Sequence, residues 1–558
     1  MFFDAREIPP QTQLNCDVVV VGAGAGGIAV AHEFLNSSLD VVLLESGGFH
    51  FEADTQDLYK GEVLDPAHHG PLDKYRQRCF GGTTTVWGGR CAPFEAIDFE
   101  RRPHVPHSGW PVSRGDLDPY YERAHVYCDV GRYTYAVAEA LPRADAPLLP
   151  GFKSDDVLQD KIWRFSLPTN FAKLSPAAFK ESSRVRVYLH ANCLQVLMNK
   201  EGNQVAGLRV ASLRRNEFTV RAKYYVLAAG GLEVTRLLLA SRDVCPAGIG
   251  NDHDLLGRFY CSHITGELGA ATFTPKGGPI IWDYERSHEG VYCRRALSIR
   301  EETQRRAQLQ NFRCILSHPP IADPAHRNGI LSAAYLVKRF FIHKIPPEYS
   351  KDMAGHMTPY RRAGAHLKNV LLDAPNLFGF SFKWLEKRIL PLRKLPSVSL
   401  FNKSNIYSLH FDAEQSPNPA SRVQLNEEKD ALGVNRLRVD WRCSDRDIES
   451  VVKCFQLLRR DFRNSGVATV DTEEGDIAEL IRKQAGVGSH HFGTTRMAGD
   501  PTRGVVDANC CVHGTNNLFI ATSSAFPTSS FANPTLSIVA FAIRVADHLK
   551  RLSLRLGG

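Results

Sequence analysis

The sequence predicts a mixed α/β fold that begins and ends in parallel-sheet style and carries an antiparallel, irregular middle. Three stretches predict it. They are the N-terminal run CDVVVVGAGAGGIAVAHEFLNSSLDVVLLE from Cys16 to Glu45, the alternating segments between Val185 and Val226, and the C-terminal succession of NLFIATSS and an apolar helix.

Val18 to Val21 is a β-branched run of the kind buried in a parallel sheet. Gly22, Gly24 and Gly27 then spell GxGxxG, a helix is expected from about Gly27 to Leu35, and Val41 to Leu44 reads as the next strand. Glu45 closes it, 23 positions after Gly22. In such a βαβ unit the first glycine permits the tight turn, the second lets the backbone approach a pyrophosphate, and the third lets the helix lie close on the strand. The helix N-terminus aims partial positive charge at the phosphates. An acid at the position of Glu45 accepts hydrogen bonds from a ribose diol, which argues against a 2′-phosphate and leaves NAD and FAD both open.

Arg78 to Arg90, RCFGGTTTVWGGR, holds four glycines and three threonines around one tryptophan. A loop of this composition turns sharply or lies against a flat ligand. Pro111 precedes a helix expected near Asp116. From Val185 to Val226 the alternation predicts antiparallel strands joined by polar turns such as Lys200 to Asn203, ending at Ala228 to Gly231 and a helix from Leu232 to Ser241. Residues 270 to 400 are the least legible, with prolines at 319, 320, 346, 347, 391 and 396, and are where specificity is expected. Alternation returns in IYSLHFDAEQ and SRVQL, Asn418 and Pro419 mark a turn, and Ile448 to Asn464 has helical spacing. NLFIATSS reads as a strand and Thr535 to Leu552 as an apolar helix.

At 558 residues the chain exceeds one ordinary core, since domains run to about 100 to 200 residues. A hydrophobic fraction of 43% with 23% charged residues is that of a globular enzyme. The net charge of +8 is concentrated: Lys338 to Lys403 holds 13 Lys and Arg against 4 Asp and Glu. This stretch is expected to be a solvated face; the rival readings are a cover favouring a large or anionic substrate, and a peripheral membrane contact through Phe380, Phe382 and Trp384. Thirteen cysteines without a CxxC pair, only Cys510 and Cys511 being adjacent, predict neither a metal site nor a disulfide framework. With no signal-peptide core at the N-terminus and no stretch of spanning length, the expected location is cytoplasmic.

Eight stretches together resemble the glucose-methanol-choline (GMC) flavoprotein oxidoreductases, nearest the branch that oxidises pyranoses and fructose. They are VVVVGAGAGGIAVAHEFL with LLESGG, CFGGTTTVWGGR, WPVSRGDLDPYY, VLAAGGLEVTRLLL, GNDHDLLGRFYCSH, EQSPNPASRVQL, SHHFGTTRMAG, and the run from VVDANCCVHG to AIRVADHL. The resemblance implies a Rossmann-like FAD-binding domain built from discontinuous segments, 1–110, 183–270 and 470–558. It implies a substrate-binding domain, 111–182 and 271–469, with an antiparallel sheet over the flavin. It places cofactor contacts at Gly22, Gly24, Gly27 and Glu45, at Gly82, Thr83, Val86, Trp87 and Gly88, and at Cys193, Ala229, Thr522 and Thr535. Relatives with covalent FAD carry a histidine where Val86 best matches, so non-covalent FAD is expected. Thr522 stands where many relatives have an acid.

Oxidising an alcohol at a flavin requires a base for the hydroxyl proton. The family's base lies three residues before the Gly of a Gly-Thr pair, which is His490 here. His491 is its rival, and in extended chain only one of the two neighbours can face the flavin. The second catalytic position falls on Asn533, able to donate to the substrate oxygen, though Asn before Pro is also a helix start. The expected function is FAD-dependent oxidation of a CH–OH group of a sugar, polyol or glycoside, with oxygen or another carrier as acceptor. The alternatives are an NAD(P)-dependent dehydrogenase and a flavin-binding protein without turnover.

Overall fold

Two eight-stranded sheets organise the computed structural model, which describes every residue except 175, 275, 277, 320, 340–358, 398, 399, 401–404, 473, 557 and 558. The first sheet runs in the order Phe2–Asp4, Val185–Leu189, Val41–Leu44, Gln13–Val21, Glu217–Leu227, Val205–Ala211, Asn192–Met198. Its first five strands are parallel neighbours. Val18 to Val20 and Val41 to Leu43 are fully buried, as continuous β-branched runs demand. Helix Ala25–Glu33 lies on this sheet and packs against the long C-terminal helix Thr535–Leu556, which also holds Arg114–Cys128.

Glu217–Leu227 changes partner along one edge. Its first half pairs antiparallel with Val205–Ala211, and its second half pairs parallel with Leu518–Ile520. The alternating region therefore divides. Asn192 to Val220 is the expected antiparallel meander, but Val185–Leu189, expected antiparallel, is a parallel strand between Phe2–Asp4 and Val41–Leu44. Alternation reports which faces are buried and carries no information about partner direction.

The second sheet is antiparallel throughout: Ala468–Val470, His263–Phe273, Ile406–Glu414, Phe312–Ser317, Tyr292–Ile299, Val157–Phe165, Arg90–Cys91. One face packs on a core of Ile264, Leu268, Leu297, Cys314, Leu316, Leu409 and Phe411, with helix Asp445–Ser465 supplying Val451, Phe455, Leu458 and Phe462. Its other face presents every second residue, including Thr265 and Glu267, Ile315 and Ser317, and Ser408, His410 and Asp412, to a cavity.

The helices begin where capping chemistry puts them. Ser113 and Ser444 each close a capping box, with Asp116 and Asp447, and Gly466 in the left-handed region ends the second helix. The segment that resisted reading holds strands Tyr292–Ile299 and Phe312–Ser317 and helices Gly329–Val337, Pro359–Leu372 and Ala374–Trp384. All thirteen cysteines are free thiols.

Candidate active site

The parallel strands of the first sheet end in register: Val21 lies beside Leu44 and Leu227, and Leu227 beside Ile520. The residues that follow, Gly22, Glu45, Ala228 to Gly230, and Ala521 with Thr522, form one wall of a cavity of about 1510 Å³. Carboxyl ends of parallel strands are where such sheets bind ligands.

The glycine loop has the geometry its spacing predicts. Gly22 sits at φ +98°, and a Cβ there would come within 2.6 Å of Ala229 Cα. A Cβ on Gly24 would meet nothing within 4 Å, because that side opens on the cavity. A Cβ on Gly27 would lie 1.8 Å from Gly22 O, so this glycine serves helix-to-strand packing and does not reach the cavity wall. The helix starts at Ala25, two residues earlier than the periodicity suggests, with Gly24 as its N-cap.

Glu45 lines the cavity, and its carboxylate also braces the loop. Oε2 accepts from Ala23 N at 2.8 Å, and Oε1 accepts from Gly47 N at 2.9 Å. The loop from Arg78 lies against it: Gly81 N donates to Ala23 O at 2.8 Å, and Gly82, Thr83, Val86, Trp87 and Gly88 all line the cavity. Trp87 is fixed by donation from Nε1 to Thr169 O at 2.9 Å, whereas Val86 projects with 59% of its surface exposed. Cys193, Ala229, Thr522 and Thr535 complete the wall, Thr522 sharing a 2.6 Å hydrogen bond with Ser524. Arg76, Arg78 and Arg236 also line it and converge on Glu233, Arg236 pairing more closely with Asp430 at 2.7 Å. Their sequence context gave no signal of this, since arginine on a helix face or in a loop is ordinary.

At the other end the histidine doublet divides. His490 and Asn533 come together, Asn533 Nδ2 lying 3.2 Å from His490 Nε2, and both line the cavity. His491 turns to a different cluster. Its Nδ1 is 2.7 Å from Tyr260 OH, which is 2.8 Å from His69 Nε2, while His69 Nδ1 is 2.6 Å from Gly70 O. A carbonyl only accepts, so His69 carries its proton on Nδ1 and accepts from Tyr260 at Nε2; Tyr260 then accepts from His491 Nδ1–H. The ring of His491 stacks on Tyr260 at 5.9 Å; it too lines the cavity, and its Nε2 has no partner among the described residues.

His263, buried at the start of its strand, lies 4.8 Å from the His490 ring, centroid to centroid, and its Nε2 has no partner among the described residues. Burial, then Arg90, push His263 down to about 3. Burial is also the largest cause holding His490 well below the ordinary histidine value, followed by His263 and Arg90, with Asp412 opposing. His490 is therefore uncharged at neutral pH.

The antiparallel wall facing this pair is polar. Arg90 bonds Asp412 at 2.6 Å, and His410 Nδ1 lies 3.2 Å from Glu267 Oε1, the two residues being opposite in register. Burial lowers the His410 pKa, but Glu267 and Asp412 outweigh it and the net shift is upward. His263, Glu267, His410, Asp412 and Arg90 were missed as site residues. The signal available was the polar set Ser408, His410, Asp412 alternating with Leu409 and Phe411. Of the described residues between 338 and 397, only Ser397 lines the cavity, so the lysines and arginines there lie away from its wall, while the remainder of that basic stretch falls outside the described residues.

A family model described as GMC oxidoreductase matches residues 417–542. The 6'''-hydroxyparomomycin C oxidase of Streptomyces lividus is 24% identical across 96% of this chain and 92% of its own. The fructose dehydrogenase large subunit of Gluconobacter japonicus is 23% identical across 96% and 97%. Among solved structures, pyridoxine 4-oxidase from Mesorbium loti aligns with TM-score 0.52 and 17% identity over 96% of this chain and 99% of its own. Formate oxidase aligns with TM-score 0.55 and 15% identity over 98% and 100%.

Proposed function

Since the chain is a GMC oxidoreductase, we propose that it oxidises an alcohol of a sugar, polyol or glycoside to the carbonyl in this cavity, with His490 taking the hydroxyl proton. The observation that carries the reading is the pairing of His490 and Asn533 at the cavity wall, Asn533 Nδ2 lying 3.2 Å from His490 Nε2, so that a substrate hydroxyl entering there would take over a contact the two side chains now make with each other. A hydroxyl placed there meets a base held unprotonated by burial and a neutral donor able to steady the alkoxide that forms as the proton leaves.

The residues present suit FAD. The open side of Gly24, the amide-bearing start of helix Ala25–Glu33 and the neighbouring arginines suit a pyrophosphate, and Glu45 suits a ribose diol. A cavity of about 1510 Å³ exceeds what one small molecule requires and leaves room for a substrate beside a dinucleotide. FAD, when bound, supplies the acceptor for the hydride that leaves the carbinol carbon. With valine at position 86 the attachment is non-covalent.

The wall opposite favours a hydroxylated substrate. Glu267, His410, Asp412, Arg90, Ser408 and Ser317 offer donors and acceptors along one sheet face, and such a wall rejects analogues that leave its groups unpaired. The relatives named for paromomycin and fructose chemistry act on molecules of this kind, which supports the same class here. The free thiols favour a reducing compartment, the cytoplasm. Anaerobic mixing of the purified yellow protein with a panel of sugars, polyols and glycosides tests the reading: at least one should bleach the flavin band in wild type and leave His490→Ala coloured on the same timescale. Equal bleaching of the two proteins would overturn the assignment of the base.

A further inference from the structure

Helix Pro359–Leu372 is turned the wrong way round for a surface helix of a water-bounded protein. Its inward side is polar: His366 is buried, with Nδ1 3.0 Å from Ser332 Oγ and Nε2 3.3 Å from Ala322 O, and Asn369 Nδ2 donates to Pro324 O at 2.8 Å. Its outward side is apolar. Tyr360, Gly364, Leu367 and Leu371 follow i, i+4, i+7, i+11 and fall within about 60° of arc; Leu371 is 70% exposed.

The next helix, Ala374–Trp384, repeats the arrangement. Phe378, Phe382 and Leu385 make a second outward stripe, Phe378 being 72% and Phe382 74% exposed, and the turn beyond ends in Leu392 at 94%. Phe380 and Trp384 pack against each other with tilted rings 5.7 Å apart and do not share that exposure. Surface helices normally bury the apolar stripe and expose the polar one, and an exposed apolar run of this extent marks an interaction surface.

We propose that this helical pair is a monotopic docking element, seating its two apolar stripes in the interfacial layer of an anionic lipid bilayer. Charge selects the occupant. Residues 359–397 carry eight Lys and Arg, including exposed Lys368, Lys383 and Lys387, against Asp373 and Glu386. Long basic side chains beside apolar tips reach the headgroup phosphates while the tips enter the acyl boundary. A second copy of the same face would bring like charges together, which disfavours self-association. The apolar tips also project outward and line no groove of the kind that receives a partner's anchors. No described helix is long and apolar enough to cross a membrane, so the element lies on the surface.

The element is fastened to the body at the joint between its two helices and again beyond the second. Gly329 N donates to Asp373 Oδ2 at 2.9 Å, and Arg393 bonds Asp129 at 2.8 Å. Residues 322 and 324, which accept from His366 and Asn369, belong to the loop whose Ile321, Ala322 and Asp323 line the cavity, so docking element and cavity are one side-chain layer apart.

Co-sedimentation of the full flavin-loaded protein with phosphatidylcholine vesicles and with vesicles about one quarter phosphatidylglycerol, at about 0.05 M and 0.5 M NaCl, tests the proposal. Wild type should pellet with the phosphatidylglycerol vesicles at low salt. The triple variant Leu371→Ser, Phe378→Ser, Phe382→Ser should lose about tenfold or more of its partitioning, at unchanged flavin content and melting temperature. Lys383→Gln with Lys387→Gln should weaken binding at low salt and matter little at high salt. Wild type left in the supernatant under all conditions, or a triple variant that pellets as wild type does, would overturn the proposal. A wild-type dimer in analytical ultracentrifugation that the triple variant dissolves, without vesicle binding, would give the face to self-association instead.

Discussion

Lowering the pH from 8 to 5 should destabilise the protein through three histidines buried without charge. His69, His125 and His263 are at most 4% exposed, and burial, the largest cause in each, pushes them down to about 4, about 4 and about 3. The unfolded value is about 6.5. Depressed histidines contribute stability that is complete above the unfolded pKa and is lost as pH falls towards the folded one, because the unfolded chain takes up protons that the native state refuses. At pH 5 each contributes about 2 kcal/mol of lost stability, about 6 kcal/mol together, with a slope of roughly 3 to 4 kcal/mol per pH unit just above that point. For a chain of 558 residues, unfolding entropy of about 1.2 kcal/mol per kelvin converts this to a fall of about 5 °C in Tm. Scanning calorimetry of the holoprotein at pH 8, 7, 6 and 5 measures it. His125 lies outside the cavity, its Nδ1 2.9 Å from Gly131 O, so His125→Leu isolates one of the three. That variant is less stable at pH 8 but should show a slope shallower by about 1.2 kcal/mol per pH unit, the share of one histidine, the other depressed histidines, His490 among them, continuing to contribute. A Tm that stays level from pH 7 to pH 5, or a slope unchanged in His125→Leu, would refute the reasoning.

The remaining expectations concern the cavity. His490→Ala should slow flavin reduction by about 10² to 10⁴-fold, while His491→Ala, which removes a packing ring, should cost far less in rate and more in Tm; stopped-flow reduction and thermal melts separate the two. Asn533→Ala should cost about 10² to 10³-fold in kcat with flavin content retained, the worth of one donor to a developing oxyanion. Because burial, His263 and Arg90 depress His490 and Asp412 offsets only part of it, the rate of flavin reduction should be level through neutral pH and decline only below about 6.5, in the direction of the lowered pKa; an acid limb above 7 would contradict this. Gly27→Ala places a methyl against Gly22 O and should abolish flavin retention, whereas Gly24→Ala, facing open space in the protein alone, should leave the fold intact and lower FAD affinity. Acid precipitation should release intact FAD into the supernatant, since Val86 offers no linking nitrogen.

The first βαβ unit was legible because each of its cues is local. Val18 to Val21, the glycine spacing and Glu45 lie within one stretch, and hydrogen bonds such as Gly22 N to Leu44 O close the unit on itself. Val185–Leu189 was misread for the opposite reason. Whether a strand pairs parallel or antiparallel depends on neighbours more than 140 residues away in sequence, here Phe2–Asp4 and Val41–Leu44, and the strand's own pattern cannot report them. The helices between 329 and 390 were hidden by a rule that normally serves well. An apolar stripe is read as the buried side, and in Pro359–Leu372 the buried side is His366 and Asn369.

At the catalytic end, what spacing can express and what it cannot lie side by side. His490 and Asn533 are 43 residues apart, yet each sits at a fixed offset from a motif, the Gly-Thr pair and the Asn-Pro helix start, so position along the chain carried them to one point. His263 reaches the same point from a strand of the other sheet, and no local pattern separates it from any buried histidine; its contact with His490 exists only because Cys261 N and Phe492 O, and Phe492 N and Cys261 O, hold the two segments together. That bridge gives His263 a consequence for the base. A neutral ring fixed 4.8 Å from His490 adds to the burial that keeps it unprotonated, while Asp412 opposes by favouring the imidazolium, so the carboxylate on the facing sheet is the group placed to stabilise His490 once it has taken a proton.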